Sequence, residues 1–211
     1  MNTLKSINMK KLKSNDIIPV IKNNCSNTFI MYPENVFSIA DELNITSNEV
    51  IEKYLTPYLK APVPFFISIS NGKCSLCDNG KCMVKNKPTA CKLYPVVRLY
   101  SDGNFNYFIA KENKSDVINT ITLNELINSN KYEFTESSLK FYNFVNQAII
   151  NGVEKSKKLC ESDRAKFLSI ILTILYGNYI PNTDSNIDSR YNDVLKFIKT
   201  GVVNDDWKWI I

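Results

Sequence analysis

Cys74-Ser75-Leu76-Cys77-Asp78-Asn79-Gly80-Lys81-Cys82, followed by a fourth thiol at Cys91, is the stretch on which the reading of this chain turns. The spacing is C-x2-C-x4-C-x8-C, so four of the six cysteines fall within eighteen residues. Asp78-Asn79-Gly80 is a tight-turn sequence that lets Cys77 and Cys82 face each other across it. Pro88 can start one turn of helix and bring Cys91 back toward the first pair. Four thiols on short loops can close a tetrahedral sulfur site around one metal ion, or hold an iron–sulfur cluster. Cys74, Cys77, Cys82 and Cys91 are therefore the candidate metal ligands. Cys25 is a further candidate, replacing one of the four, adding a fifth sulfur or standing idle, and Cys160 reads as an ordinary cysteine.

The surrounding charge suits such a site. A zinc ion held by four thiolates carries two net negative charges, and Lys73, Lys81, Lys85, Lys87, Lys92 and Arg98 lie close by in sequence. Nearby cations favour the thiolate, which is the form that binds metal. Structural zinc contributes roughly 10–16 kcal/mol in small peptides, as much as the net stability of a whole domain. The competing readings are reduced structural thiols, which pack as small apolar groups, and disulfides, which belong to exported proteins. Lys87 and Tyr94 are candidates for hydrogen bonds to sulfur, against the plainer reading of a solvated lysine and a packed tyrosine.

Composition narrows the chemistry further. The 211 residues carry 44% hydrophobic and 22% charged side chains, ordinary values for a globular chain large enough to bury a core without metal. Net charge is +5, from 23 Lys and 3 Arg against 21 acidic residues. The excess of Lys, Asn and Ile is read as the mark of an AT-rich bacterial genome, and five charges do not themselves imply nucleic acid. Histidine is absent. That excludes Ser-His and Cys-His pairs, His-based zinc and iron centres and an axial histidine for haem, so a transition-metal site must be built from thiolate. The polar, Lys-rich Met1 to Asn15 has no apolar core of a secretory signal. The longest apolar run, about Phe167 to Tyr176, is too short for a bilayer, which takes about 20 residues. The expectation is a cytoplasmic protein, where clustered cysteines more often mean metal than disulfide.

The pattern predicts an α+β fold, mostly helical, with a small antiparallel hairpin or sheet beside the cysteine-rich metal loop. Residues 1–20 read as a partly ordered segment in which Ile17 to Ile21 is extended. Residues 21–132 read as the cysteine-cluster domain, and 133–211 as a helical region packed on it. Pro33-Glu34 opens a helix that stops near Asn44, and Thr46-Ser47-Asn48-Glu49 starts a second that ends before Pro57. Phe65 to Ile69, Val96 to Tyr100 and Phe105 to Ala110 read as strands, the last two joined by the turn Ser101-Asp102-Gly103-Asn104. Thr122-Leu123-Asn124-Glu125 is a capping box. Three helices follow: one with Leu139, Tyr142, Val145 and Ile149 on its apolar side, one from Ser162-Asp163 to a left-handed stop at Gly177, and one from Asp188 to Gly201. The loop from Asn178 to Ser189 reads as the best hinge candidate. Phe141, Phe144 and Phe197 read as core, while Trp207 and Trp209 read as packing for the terminus rather than a partner's docking strand.

The cysteine segment also resembles a family: the cysteine-cluster proteins described as zinc- or iron-chelating domains, often called YkgJ-like. Their second cluster runs Cys, Phe-Leu, a short turn, Cys, an aromatic, Arg-Pro, Cys and Tyr-Pro. Here Cys74, Cys82, Lys87-Pro88, Cys91 and Tyr94-Pro95 fill that frame, with Lys for Arg and one residue fewer between the last two cysteines. Upstream, Cys25, the helix Pro33 to Asn44 and the run Ile45 to Leu55 resemble the stretch after the family's first cluster. Downstream, Thr120 to Leu126 resembles its Thr-Val-x-Glu-Trp-Leu element. The likeness covers about residues 20 to 130. The family's first cluster, C-x3-C-x2-C-C, survives only as Cys25, a later cysteine is missing, and Cys77 stands where the family has Leu. The resemblance thus implies an altered metal site, or one that has lost a second metal.

The leading expectation is a metal-binding protein that holds zinc through the four cysteines in a structural or scaffold role. The alternatives are an iron–sulfur redox protein on the same ligands and, ranked last, a basic zinc-ribbon-like module for nucleic acid. Base stacking wants exposed aromatics and Arg, and this segment offers mainly Tyr94. No acid, base or nucleophile constellation is visible, so the sequence assigns no enzymatic reaction, no substrate and no partner.

Overall fold

The computed structural model describes residues 9–21, 29–59, 64–68, 73–101, 104–110, 117–129, 159–183 and 186–203, with 139–141, 143, 144 and 146–148 between them. The described elements are an α+β set: helices with small antiparallel sheets.

Strand β1 (Met9–Lys11) and strand β2 (Ile17–Ile21) come from the opening residues, read from sequence as loosely ordered before Ile17. Strand β3 (Ile30–Met31) leads into helix α1 (Pro33–Leu43). Pro33 supplies a preset φ at the first helical position, and Asn44 ends the helix in the left-handed region at φ 53°. Helix α2 (Ser47–Tyr54) opens with a complete capping box. The Glu49 amide donates to Thr46 Oγ1 at 3.3 Å, and the Thr46 amide donates back to Glu49 Oε2 at 2.8 Å. Two otherwise orphaned amides are satisfied, a device worth about 1 kcal/mol.

Strands β4 (Thr56–Tyr58) and β5 (Phe65–Ile67) pair antiparallel, and β3 lies on the other side of β5. Within the cysteine segment, strands β6 (Cys77–Asp78) and β7 (Lys81–Cys82) form a minimal hairpin, and helix α3 (Thr89–Leu93) carries Cys91. Strands β8 (Val96–Ser101) and β9 (Asn104–Ala110) form the expected hairpin, with β1 on its far edge; Asp102 and Gly103 lie outside the described residues. Strand β10 (Val117–Thr122) pairs with β2 and runs straight into helix α4 (Leu123–Ser129) through the Thr122–Glu125 capping box.

Among the described residues two apolar cores result. The larger joins β3, α1, α2, β5, the cysteine loop and the C-terminal helices α5 (Glu161–Tyr176) and α6 (Ile187–Val203). The smaller gathers Leu12, Ile18, Leu93, Val96, Leu123 and Leu126 between β2, α3, β8 and α4. In α5 a broad face is buried: Phe167, Leu168, Ile171, Leu172, Leu175 and Tyr176. Tyr191, Val194 and Ile198 of α6 meet it at helical spacing, and the Phe167 and Phe197 rings stack at 5.3 Å.

Several details of the helical third differ from the sequence expectation. Between 139 and 148 the buried stripe is Phe141, Phe144 and Ala148, while Leu139 is 36% exposed; Tyr142, Val145 and Ile149 lie outside the described residues. Gly177 is extended at φ −79°, and the left-handed residue is Asn178 at φ 59°. Glycine is needed at 177 for space: a Cβ would sit 2.7 Å from the Thr173 carbonyl oxygen. Helix α6 continues past Gly201, since one glycine lowers helical stability by about 1 kcal/mol without breaking the ladder.

The segment after Asn178 is tied down, which argues against a hinge. The Tyr179 amide donates to Ser47 Oγ at 2.9 Å, and the Ser47 amide donates to the Tyr179 carbonyl at 3.0 Å. The Tyr179 hydroxyl and the Asn182 amide both donate to Asp41 Oδ1 at 2.7 Å. Trp207 and Trp209 lie outside the described residues.

One half-buried acid couples two helices far apart in the chain. Glu34, in the first turn of α1, accepts a hydrogen bond from the Tyr191 hydroxyl of α6 at 3.3 Å. Burial pushes its pKa up to about 7, opposed by its own backbone amide, Tyr191 and Lys140, with Asp188 adding slightly to the rise. Lys140 and Asp188 are themselves 3.5 Å apart. Below the unfolded value near 4.5 both states hold the proton, and Glu34 carries no pH-dependent term. Between about 4.5 and 7 the unfolded chain ionises first, so stability falls as pH rises, and the full loss is present above about 7. Glu34→Gln is expected to raise stability at pH 8 by on the order of 2 kcal/mol while changing little at pH 4.5. Thermal melts of both proteins across that range test this, and parallel pH profiles would contradict it.

Candidate metal centre

The cysteine loop is built on a two-residue turn. Asn79 (φ 48°) and Gly80 (φ 78°) are both left-handed, the geometry of a type I′ turn, which matches the twist of the flanking strands. The turn sets the register, so Cys77 stands opposite Cys82 and Asp78 opposite Lys81. The Cys77 amide donates to the Cys74 carbonyl at 3.1 Å, folding the C-x2-C stretch back on itself. The Met83 amide donates to the Leu76 carbonyl at 2.8 Å one step outside the hairpin.

Apolar anchors plug this knuckle into the larger core. Leu76 is 1% and Val84 2% exposed, and Cys77 and Cys82 pack against the same core from its edge. The Ser75 hydroxyl donates to the Tyr54 carbonyl at the end of α2. On the other side Glu42 of α1 accepts the Lys85 and Asn86 amides, one on each carboxylate oxygen. The Asn86 side chain donates to Ser38 Oγ at 3.0 Å and accepts from Lys92 Nζ at 2.9 Å. The knuckle is thus held by α1, α2 and its own buried side chains.

Cys74 is the most enclosed of the thiols, 7% exposed. Burial pushes its pKa up; the Leu76 amide and the Ser68 hydroxyl oppose that rise, and the Cys82 and Cys77 thiols add to it. Ser68, just past β5, is fully buried, and its hydroxyl makes no hydrogen bond of ordinary geometry within the described residues. It acts on the Cys74 thiol, holding that pKa down, and a thiolate there would accept its hydrogen bond far better than a thiol. Sequence reasoning missed Ser68, and a single serine at a strand end carries no signal that would have found it.

Cys91 lies on α3 and lines a recess of about 200 Å³ with Ile18, Ile21, Lys87, Lys92 and Tyr94. None of the other three cysteines lines that recess. Lys87 and Tyr94 accompany Cys91 there, and the Tyr94 ring meets Phe29 edge-on at 5.8 Å. Cys25 lies outside the described residues. Cys160 is exposed at the start of α5, its sulfur 3.0 Å from Asp163 Oδ2 and 3.1 Å from Ser162 Oγ. Among the described residues no three Cys, Asp or Glu side chains stand in a ready-made metal cage.

Comparison of the chain with protein-family models, with curated proteins and with solved structures found no match.

Proposed function

We propose that this protein binds a thiolate-preferring metal ion, zinc in the first instance, through the cysteine knuckle, and that the ion has a structural or scaffold role. With no relative to lend a function, the reading rests on the loop itself. Cys74, Cys77 and Cys82 form the nucleus of the ligand set, and Cys91 is the fourth sulfur by its spacing in sequence. The carrying observation is the buried Ser68 hydroxyl, which lacks a hydrogen-bond partner of ordinary geometry and acts on the Cys74 thiol, next to the turn that sets Cys77 opposite Cys82. A hydroxyl buried without a partner costs about 1–3 kcal/mol, and a metal-bound thiolate offers it an acceptor.

The donor set suits zinc, which takes sulfur ligands in tetrahedral array and needs no histidine. The thiol side chains must turn toward a common centre to close the site, because the described residues hold no preformed cage. The backbone is already fixed by the type I′ turn, Leu76 and Val84, so that adjustment involves side-chain torsions for the knuckle residues. When bound, the ion would supply a cross-link between the strand-end at Ser68, the hairpin and α3. Lys73, Lys81 and Lys85 supply nearby positive charge for the anionic sulfur cluster.

A competition titration tests this. Reduced full-length protein is titrated with zinc in the presence of a coloured chelator, while thiol reactivity is followed in parallel. The expected result is one zinc per chain with at least three thiols protected at saturation. Zinc taken up no better than by a variant lacking Cys74, Cys77 and Cys82 would refute the reading. A brown protein absorbing near 400 nm after anaerobic preparation would instead identify an iron–sulfur cluster on these ligands.

A further inference from the structure

The hairpin geometry carries a second consequence that does not require a metal. The bond from the Met83 amide to the Leu76 carbonyl defines one rung of the ladder. Rungs alternate in an antiparallel pair, so the next pair inward, Cys77 and Cys82, occupies a position without mutual backbone hydrogen bonds. At such positions the two Cα atoms approach to about 4.5 Å, inside the roughly 4.4–6.8 Å window of a disulfide. The left-handed Asn79-Gly80 turn and the buried Leu76 and Val84 hold both strands in this register. Cys77 and Cys82 are half-exposed, whereas Cys74 is buried, so a solute oxidant meets the cross-strand pair first.

We propose that Cys77 and Cys82 are a modification site: they close a reversible cross-strand disulfide when exposed to a peroxide, and the bridged hairpin can no longer serve as a metal ligand pair. The chemistry balances with hydrogen peroxide as oxidant. One thiolate attacks a peroxide oxygen, the O–O bond breaks, and the departing hydroxide takes a proton to become water, leaving a sulfenic acid. The second thiolate attacks that sulfur, the S–O bond breaks, and the second hydroxide leaves as water. Two thiols and one peroxide thus yield one disulfide and two waters. A dithiol reductant reverses the step by thiol–disulfide exchange and is itself oxidised. Loss of the metal on oxidation rests on the metal-binding reading; closure of the bridge does not.

Lys81 separates the two cysteines, so trypsin places Cys77 and Cys82 on different peptides, Cys74 to Lys81 and Cys82 to Lys85. Metal-free, reduced full-length protein is treated with hydrogen peroxide, alkylated and digested without reduction. The expected product is these two peptides joined, lost on treatment with dithiothreitol, retained in Cys74→Ser and abolished in Cys77→Ser. No linked peptide, or a link that survives in Cys77→Ser and vanishes in Cys74→Ser, would overturn the assignment. So would a bridge found only between chains on a non-reducing gel. Zinc-loaded protein is expected to release its zinc in step with bridge formation, and a bridge formed with the zinc retained would overturn the switch. A chain that forms the bridge but never takes up zinc would leave the disulfide standing and refute the metal-binding reading alone.

Discussion

Cys77→Ser is expected to abolish stoichiometric zinc binding, weakening affinity by at least about a hundredfold, because a neutral hydroxyl replaces a thiolate at the tip of the ligand set. Structural zinc contributes roughly 10–16 kcal/mol in small peptides, so losing one of a few sulfur ligands removes a large part of that energy. Cys82→Ser should behave alike, since the two residues are register partners on one hairpin. The fold outside the knuckle should persist, for Leu76 and Val84 keep their places in the core. Ser68→Ala should give a smaller loss of affinity, because on the proposed reading its hydroxyl would donate to a metal-bound thiolate rather than ligate the ion itself. Competition titration of the three variants, with circular dichroism to confirm folding, checks the order. Wild-type zinc affinity in Cys77→Ser would remove the knuckle from the site.

Phe167→Ala should produce the largest loss of stability among single substitutions in the described helices. Phe167 is fully buried in α5, and its ring stacks on Phe197 of α6 at 5.3 Å. Truncation removes both the apolar burial and the contact that aligns the two helices, a change that typically costs about 3–5 kcal/mol. Because these helices share a core with α1, α2 and the knuckle, the effect should appear as one cooperative transition at lower denaturant. Chemical denaturation measures it. A midpoint within error of the wild type would show that α5 and α6 do not pack on the rest as described.

The local signals in the sequence were strong where a few adjacent residues decide the structure. The boxes at Thr46–Glu49 and Thr122–Glu125 form as their residue types require, because the partners are three positions apart. The Asn79-Gly80 turn likewise dictates the meeting of Cys77 and Cys82. Long-range facts were not legible. Gly177 departs from the expected left-handed stop because its demand for space arises from the neighbouring turn's carbonyl. The segment after Asn178 looks loose in composition, yet Asp41, Ser47 and Asn48, 130 or more residues earlier in the chain, hold it. Cys91, the fourth ligand by its spacing, lines a recess against β2, a neighbourhood that no local pattern encodes. Ser68 and Glu34 became visible only through burial, which no short pattern encodes.

Elemental analysis with an absorption spectrum, on protein purified anaerobically without added metal, tests the central claim most directly. The account predicts a colourless protein carrying about one equivalent of zinc, released when the knuckle thiols are blocked. Zinc and iron together below about 0.2 equivalents, in a preparation whose thiols are fully reduced, would contradict it.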